Sequence, residues 1–340
     1  MHVKLPNSHQ GTAEHFANID LIRFVAALSI IVFHLFGEFT IVKYTNTTLT
    51  FFLKRYAIYS SGVDLFFVIS GFVIVRGLSS RNISPAIFLK GRARRIVPIY
   101  WIVTATTLLL TLLTNLLGIS KIHLASARQI FESLFFFATY SKSGHPIVQQ
   151  GWTLEYEVAF YLIISGFLIF AKTFLRNLFF LAGVVLFSIC VPSHRLFLEF
   201  AAGITIGLLP STPLKFRKIN YILILGSLSI LSFIFARHIS VSDRLFYTIP
   251  YGILLYAAVN APQLRSNVVL WLGKISYPVY LSQGLVIPVI YQYIKPLNQI
   301  SSWELLGVFF AGINLSLLLG ISFYHYIDRP ITEKLKRIGW

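Results

Sequence analysis

Apolar residues in this chain come in long runs separated by short polar stretches. Ten such runs fall near 20–39, 61–78, 95–117, 154–172, 176–191, 194–209, 219–236, 245–260, 276–294 and 303–327. Each reaches or approaches the roughly 17–25 residues that an α-helix needs to cross a bilayer core. The fifth and sixth are short and joined by VPSHR, which predicts a tight helical hairpin. FESLFFFATY, residues 131–140, is apolar but too short to span, and is predicted to lie in the membrane interface. The pattern predicts an all-α, polytopic transmembrane helical bundle of about ten spans. A cytoplasmic segment 1–19 would precede a membrane domain 20–327, and 328–340 would form a cytoplasmic tail. No repeat, low-complexity tail or soluble domain interrupts this plan.

Composition agrees. Of 340 residues, 56% are hydrophobic and 12% charged, with a mean hydropathy of +0.73. A soluble domain would carry about 25% charged residues. Residues 1–19 are polar and have no small-residue cleavage pattern, so the first apolar helix is expected to stay as an anchor. The single cysteine, Cys190, excludes an intrachain disulfide.

The net charge of +17 sets orientation. With the N-terminus inside, eighteen lysines and arginines fall on the cytoplasmic side and ten outside, while Arg23 lies within the first helix. The positive-inside rule therefore predicts N-in and C-in. Trp152, Trp271 and Trp303 fall at predicted helix starts, where an aromatic belt belongs. The charge is spread over short loops and requires no nucleic acid. Only KGRARR, residues 90–95, exceeds what orientation needs.

Candidate chemistry comes from polar groups inside the apolar runs, each costing about 2.5–3.5 kcal/mol at mid-helix. Arg23 and His34 are eleven residues apart, which is about 1100° of helical rotation, so they share a face, with a rise of roughly 16 Å between them. Ala26 and Ala27 lie between them on or beside that face, leaving room for something slender. Asp64, Glu157 and Glu199 enter from the outer side on three further helices and are expected at a depth similar to His34. Glu155 reads as a charge at a helix N-terminus. His34 with a carboxylate could take a proton from a hydroxyl, while the same set could simply tie helices together. Arg92 and Arg95 open the third helix, with Pro98 in its first turn, and suit phosphate groups.

These residues resemble the acyltransferase 3 family of integral-membrane acyltransferases over nearly the whole chain. The motifs are IRFVAALSIIVFH, GVDLFFVISGFVI, FLKGRARRIVPIYW, WTLEYEVAFY, LGKISYPVYLSQ and YIDRP. The chain looks most similar to stand-alone O-acetyltransferases of exopolysaccharide, O-antigen and nodulation-factor pathways. The resemblance implies transfer of an acyl group, usually acetyl, from cytoplasmic acetyl-CoA to a sugar hydroxyl across a bacterial inner membrane. It places the family's arginine and histidine on Arg23 and His34, its R-x-x-R pair on Arg92 and Arg95, its glutamate on Glu157 and its aspartate on Asp64. Catalysis is thus expected from His34, Glu157 and Asp64, and acyl-CoA binding from Arg23, Arg92 and Arg95. Glu199 and Trp152 are expected near the acceptor, a glycan or lipid-linked sugar, which the outer loop 118–153 would help admit.

Acyl-CoA would be a donor substrate, with no metal or permanently bound cofactor and with membrane lipid as surroundings. Two positions depart from the family pattern. Gln283 stands where histidine is common, and Asp328 replaces a glutamate, keeping a charge expected to form a structural salt bridge. The extracytoplasmic hydrolase-like domain of some members is not seen, so the acceptor is expected to meet the membrane domain directly. A transporter or flippase, or a noncatalytic scaffold, are the competing readings; acetyl-CoA binding or hydrolysis discriminates against both.

Overall fold

The computed structural model describes residues 15–41, 61–79, 83–119, 123–141, 143–168, 174–190, 196–210, 217–236, 245–293 and 302–340. Outside them lie most of the expected cytoplasmic segment 1–19, the VPSHR turn, and Lys4, Arg81, Lys172 and Lys215, as do the side chains of Arg176, Cys190, Arg217 and Lys218. The described residues are helical, with no strand among them.

A helix overlies each of the ten apolar runs. The helices are α1 (Ala17–Ile41), α2 (Gly62–Ser79), α3 (Pro85–Leu116), a short α4 (Ala127–Leu134), α5 (Gly151–Phe167) and α6 (Phe174–Cys190). They continue with α7 (Phe197–Leu208), α8 (Arg217–Ala236), α9 (Leu245–Asn260), α10 (Asn267–Tyr293) and α11 (Ser302–Phe323). A π-helical turn, Tyr324–Asp328, then leads into α12 (Arg329–Arg337). Among the described residues, three stretches are long and apolar enough to cross a membrane by length and composition: Ala17–Leu35, Pro85–Leu116 and Leu306–Arg337. The segment expected as a tail is therefore largely helical.

The third helix starts earlier than hydropathy predicts. Ser84 caps it by accepting a hydrogen bond from the Ile87 N–H at 3.4 Å, and Pro85 occupies the first turn, where its missing N–H costs nothing. Arg92 and Arg95 therefore sit beyond the first turn, and Pro98 lies inside the helix. The phosphate argument loses the helix N-terminus and rests on the arginines themselves.

Packing is closest between α2 and α7. A methyl group at Gly71 would lie 2.1 Å from the Phe200 carbonyl oxygen, and one at Gly203 1.9 Å from that of Val68. Small residues let backbones meet this closely where lipid supplies no hydrophobic drive between helices. Around the crossing, Phe200 stacks on Phe67 at 4.6 Å and on Phe160 at 4.1 Å, each pair contributing about 0.5–1.5 kcal/mol beyond its burial. This crossing fixes α2, one wall of the site.

The interfacial segment is built inside out relative to a soluble helix. In α4 the polar Glu132 and Ser133 are buried, while Phe131 and Phe135 are more than half exposed, as a helix lying in the interface requires. Glu132 accepts hydrogen bonds from Arg128 Nε and Ser141 Oγ, both at 2.6 Å. Those bonds hold its carboxyl well below the ordinary range, at about 2. Tyr100 of α3 bonds Ser133 Oγ at 2.9 Å, and Ser133 Oγ accepts the Ile147 N–H at 3.2 Å. Glu155 is fully buried rather than a terminal charge: it accepts the N–H groups of Ala138 and Thr139 at 3.0 and 2.7 Å. It is a clamp on the loop over α5.

Candidate functional site

At one end of the bundle a funnel of about 970 Å3 opens between the starts of α1 and α10 and the helices after Phe323. Arg23, Arg95, Lys274, Arg329 and Lys336 line it together with Asp20, Asp328 and Glu333. The positive charges outnumber the carboxylates there. Arg329 Nε pairs with Glu333 at 2.9 Å. Asp328 makes no ion pair among the described residues, so the salt bridge expected of it falls to its neighbour.

Arg23 and Arg95 also line the cavity above the funnel. That narrow space, about 50 Å3, shares Tyr277 with the funnel and adds Ser70, Glu157, Thr153 and Tyr280 to an apolar wall of Val63, Phe66, Phe67, Ile96 and Leu154. Glu157 Oε1 accepts hydrogen bonds from Ser70 Oγ at 3.2 Å and from the Tyr161 hydroxyl. A side pocket of about 20 Å3 is lined by Arg23, Arg92, Arg95, Glu157 and Tyr161. The Arg92 guanidinium sits 5.5 Å from both the Phe88 and Tyr161 rings. The three arginines thus converge, but Arg23 and Arg95 join all three spaces while Arg92 stands to one side.

His34 lines a different cavity. This space, about 300 Å3, is formed by His34 of α1, Thr107 of α3, Ile147, Gln149 and Gln150 before α5, and Gly284, Ile287 and Pro288 of α10. No residue lining it also lines the Arg23 cavity. Between them stands a small hydrogen-bonded wall. The Tyr280 hydroxyl donates to the Gln150 carbonyl at 3.1 Å and meets Thr153 Oγ1 at 2.7 Å, and Thr153 Oγ1 reaches the same carbonyl at 3.0 Å.

The expected common depth is not observed. A methyl at Gly62, where α2 begins, would lie 2.6, 2.7 and 2.8 Å from Ser29 Oγ, Ile30 Cγ1 and the Ala26 carbonyl oxygen, so α2 starts beside Ala26 to Ile30 rather than beside His34. That level is about 6–12 Å below His34 along α1, and Asp64 follows Gly62 on a helix running away from it. Glu157, bonded to Ser70, is deeper still. The same contact closes the alanine face: Ala26 and Ala27 are fully packed, and no slender channel runs along them. No hydrogen bond joins His34 to Glu157 or Asp64 among the described residues. Asp64 and Glu199 are buried on the other side of α2, both acting on Tyr251, whose hydroxyl meets Ser61 at 2.5 Å. Trp152 packs edge-on against Tyr156 at 5.8 Å. Neither Glu199 nor Trp152 lines the His34 cavity.

Sequence reading missed Thr153, Tyr280 and Gln150. Thr153 and Tyr280 lie inside motifs already singled out, WTLEYEVAFY and LGKISYPVYLSQ, but their meeting is a property of two helices and not of either motif.

Comparison with known proteins agrees with this architecture. The chain is 28% identical over 303 residues to the exopolysaccharide production protein ExoZ of Rhizobium meliloti, covering 82% of this chain and 92% of that protein. It is 29% identical over 170 residues to Nodulation protein 10 of Rhizobium leguminosarum bv. viciae, covering 46% and 45%. No solved structure matches it. The acyltransferase domain that defines one family matches residues 16–325, almost the full bundle. The chain therefore belongs to the acyltransferase 3 family and is a membrane acyltransferase by descent.

Proposed function

We propose that the protein transfers an acyl group, acetyl in the simplest case, from acyl-CoA to a hydroxyl of a glycan or lipid-linked sugar. The observation that carries this reading is that Arg23 and Arg95 line both the basic funnel and the cavity above it. Phosphate oxygens match arginine forks through charge-assisted hydrogen bonds. Acyl-CoA would enter from the funnel, on the cytoplasmic side by the charge count, and leave its phosphates on Arg23 and Arg95. Arg92 would add its field from the side cavity. Glu157 would serve as the counter-charge that keeps these arginines in place when no donor is bound.

The thioester arm would rise past Phe66 and Tyr280 rather than along the alanines, and cross the Tyr280–Thr153–Gln150 wall to reach His34. The rise from Arg23 to His34, roughly 16 Å along α1, suits an extended pantetheine arm. His34 would take the proton of the acceptor hydroxyl as its oxygen attacks the thioester carbonyl. The new ester C–O bond forms, the C–S bond breaks, and the proton passes to the leaving thiolate. The names of the relatives, an exopolysaccharide production protein and a nodulation protein, support a surface glycan as acceptor.

The test is direct. Purified protein should bind acetyl-CoA and hydrolyse it slowly in the absence of acceptor. Mass spectrometry of surface glycans should show a deletion strain lacking one acyl group that its parent carries. An unchanged glycan together with no acetyl-CoA binding would overturn the reading.

A further inference from the structure

The His34 cavity contains a group that the transfer chemistry leaves unused. Gln150 is 4% exposed and precedes α5, yet it lines this cavity, and among the described residues its amide oxygen Oε1 has no hydrogen-bond partner. A buried polar atom left unpaired costs about 1–3 kcal/mol, so its persistence needs an account. A methyl at Gly284 would lie 2.6 Å from Gln150 Oε1, so the amide rests against α10 at that glycine and a side chain there would push it aside. The backbone of Gln150 is fixed independently, since its carbonyl receives the Tyr280 and Thr153 hydroxyls. The loop before it is tied through Ile147 to Ser133 and from there to Tyr100. The Gln150 backbone is thus fixed at one side of a cavity that Thr107, Gln149 and His34 also line.

We propose that this cavity is the acceptor subsite and that Gln150 is the residue that reads the acceptor sugar. It rests on the acyl-transfer reading above and adds to it the residue and the substrate class. An amide can donate and accept at once, as a ring hydroxyl does, so one sugar hydroxyl pairs with Gln150 while its neighbour faces His34. Thr107 supplies a further hydroxyl partner. Ile147, Ile287 and Pro288 form an apolar side against which the C–H face of a sugar ring packs. The volume, about 300 Å3, stands at the lower end of the range of small-molecule sites, roughly 300–1,000 Å3. Amides and a hydroxyl pair with neutral hydroxyls, whereas a carboxylate would call for arginine. The acceptor residue is therefore an uncharged sugar, and discrimination is between hydroxyl positions. A site that hydrogen-bonds one substrate hydroxyl rejects an analogue lacking it far better than an apolar pocket rejects an extra group.

The experiment uses the full-length protein in proteoliposomes, labelled acetyl-CoA, and unacylated surface polysaccharide extracted from a deletion strain. Gln150→Ala should raise the KM for this polysaccharide about three- to tenfold, the loss of one neutral hydrogen bond, while acetyl-CoA affinity stays at the parental value. Gln150→Asn, which retains the amide, should recover part of that loss, and Gly284→Ala should reproduce it by displacing the amide. Mass spectrometry of the product should place the acyl group on a neutral sugar. A parental KM in Gln150→Ala, or an acyl group found on a uronic acid, would overturn the inference and leave acyl transfer standing. Absence of acetyl-CoA binding by the parental protein would instead remove the transfer reading itself.

Discussion

The two cavities on either side of the Tyr280–Thr153–Gln150 wall share helices α1, α3 and α10 and are chemically opposite. Below it, Arg23, Arg95 and Glu157 converge. Above it, among the described residues, the lining is one imidazole, one hydroxyl and two amides on an apolar wall. α1, the residues at the start of α5, and α10 contribute to both. The contrast teaches that a helix long enough to cross a bilayer can serve two solvents, with charge at one level and neutral hydrogen bonding a few turns away. An anionic donor and an uncharged acceptor need that division.

The largest expected effect tests the upper cavity. His34→Gln retains size and some hydrogen bonding but cannot carry the proton. Acyl transfer should fall about 10²- to 10⁴-fold, measured as labelled product, with acetyl-CoA binding intact. Parental rates at normal expression would make His34 a packing residue and erase the contrast.

Next comes the lower cavity. Arg95→Ala removes a charged partner contributing about 1.5–3 kcal/mol, so acetyl-CoA affinity should drop about tenfold to over a hundredfold. Arg92→Ala should cost only a few-fold, because its guanidinium rests between Phe88 and Tyr161 in an arrangement contributing about 0.5–2 kcal/mol. Titration calorimetry of both variants separates the two positions; equal losses would place Arg92 directly on the donor.

A smaller effect should follow from the α2–α7 crossing. Gly203→Ala forces a methyl against the Val68 carbonyl and should destabilise the bundle by about 1–3 kcal/mol, seen as a lower thermal midpoint. Transfer at permissive temperature should suffer through the donor, since α2 lines the lower cavity and not the upper.

The smallest involves the loop above. Glu132 is held near 2, below its ordinary 4.5, so its ionised form stabilises the fold. That contribution is fully present above about 4.5 and is lost as pH falls toward 2. The parental thermal midpoint should therefore decline through this window more steeply than that of Glu132→Gln, and parallel curves would sever the loop from acid stability.

Much of the bundle was legible in the primary structure, because crossing a membrane forces apolar runs of a set length. Its misreadings have local causes. KGRARR lowers the hydropathy of 90–95 and hid the start of α3, although Ser84 followed by Pro85 marks it. The shared face of Arg23 and His34 could be read, because helical rotation fixes it, but the closing of the alanine face by Gly62 could not, since it depends on where α2 begins. Glu155 looked like a terminal charge because the groups that bind it include the backbone N–H of Ala138 and of Thr139, which no residue type advertises. Gln150 carried no signal at all: its space is set by Gly284, and its backbone by a tyrosine 130 residues away.

The wall of Tyr280, Thr153 and the Gln150 carbonyl has a consequence for the cell rather than for the reaction. A membrane that stores energy as voltage loses it through any continuous file of water, and two polar cavities in line come close to forming one. Two hydroxyls closing on one carbonyl separate the two cavities, and each bond is weak enough to part for a thioester arm if the proposed transfer takes place. On that reading the protein would hand material through a charged barrier and still behave, between turnovers, as an electrical insulator.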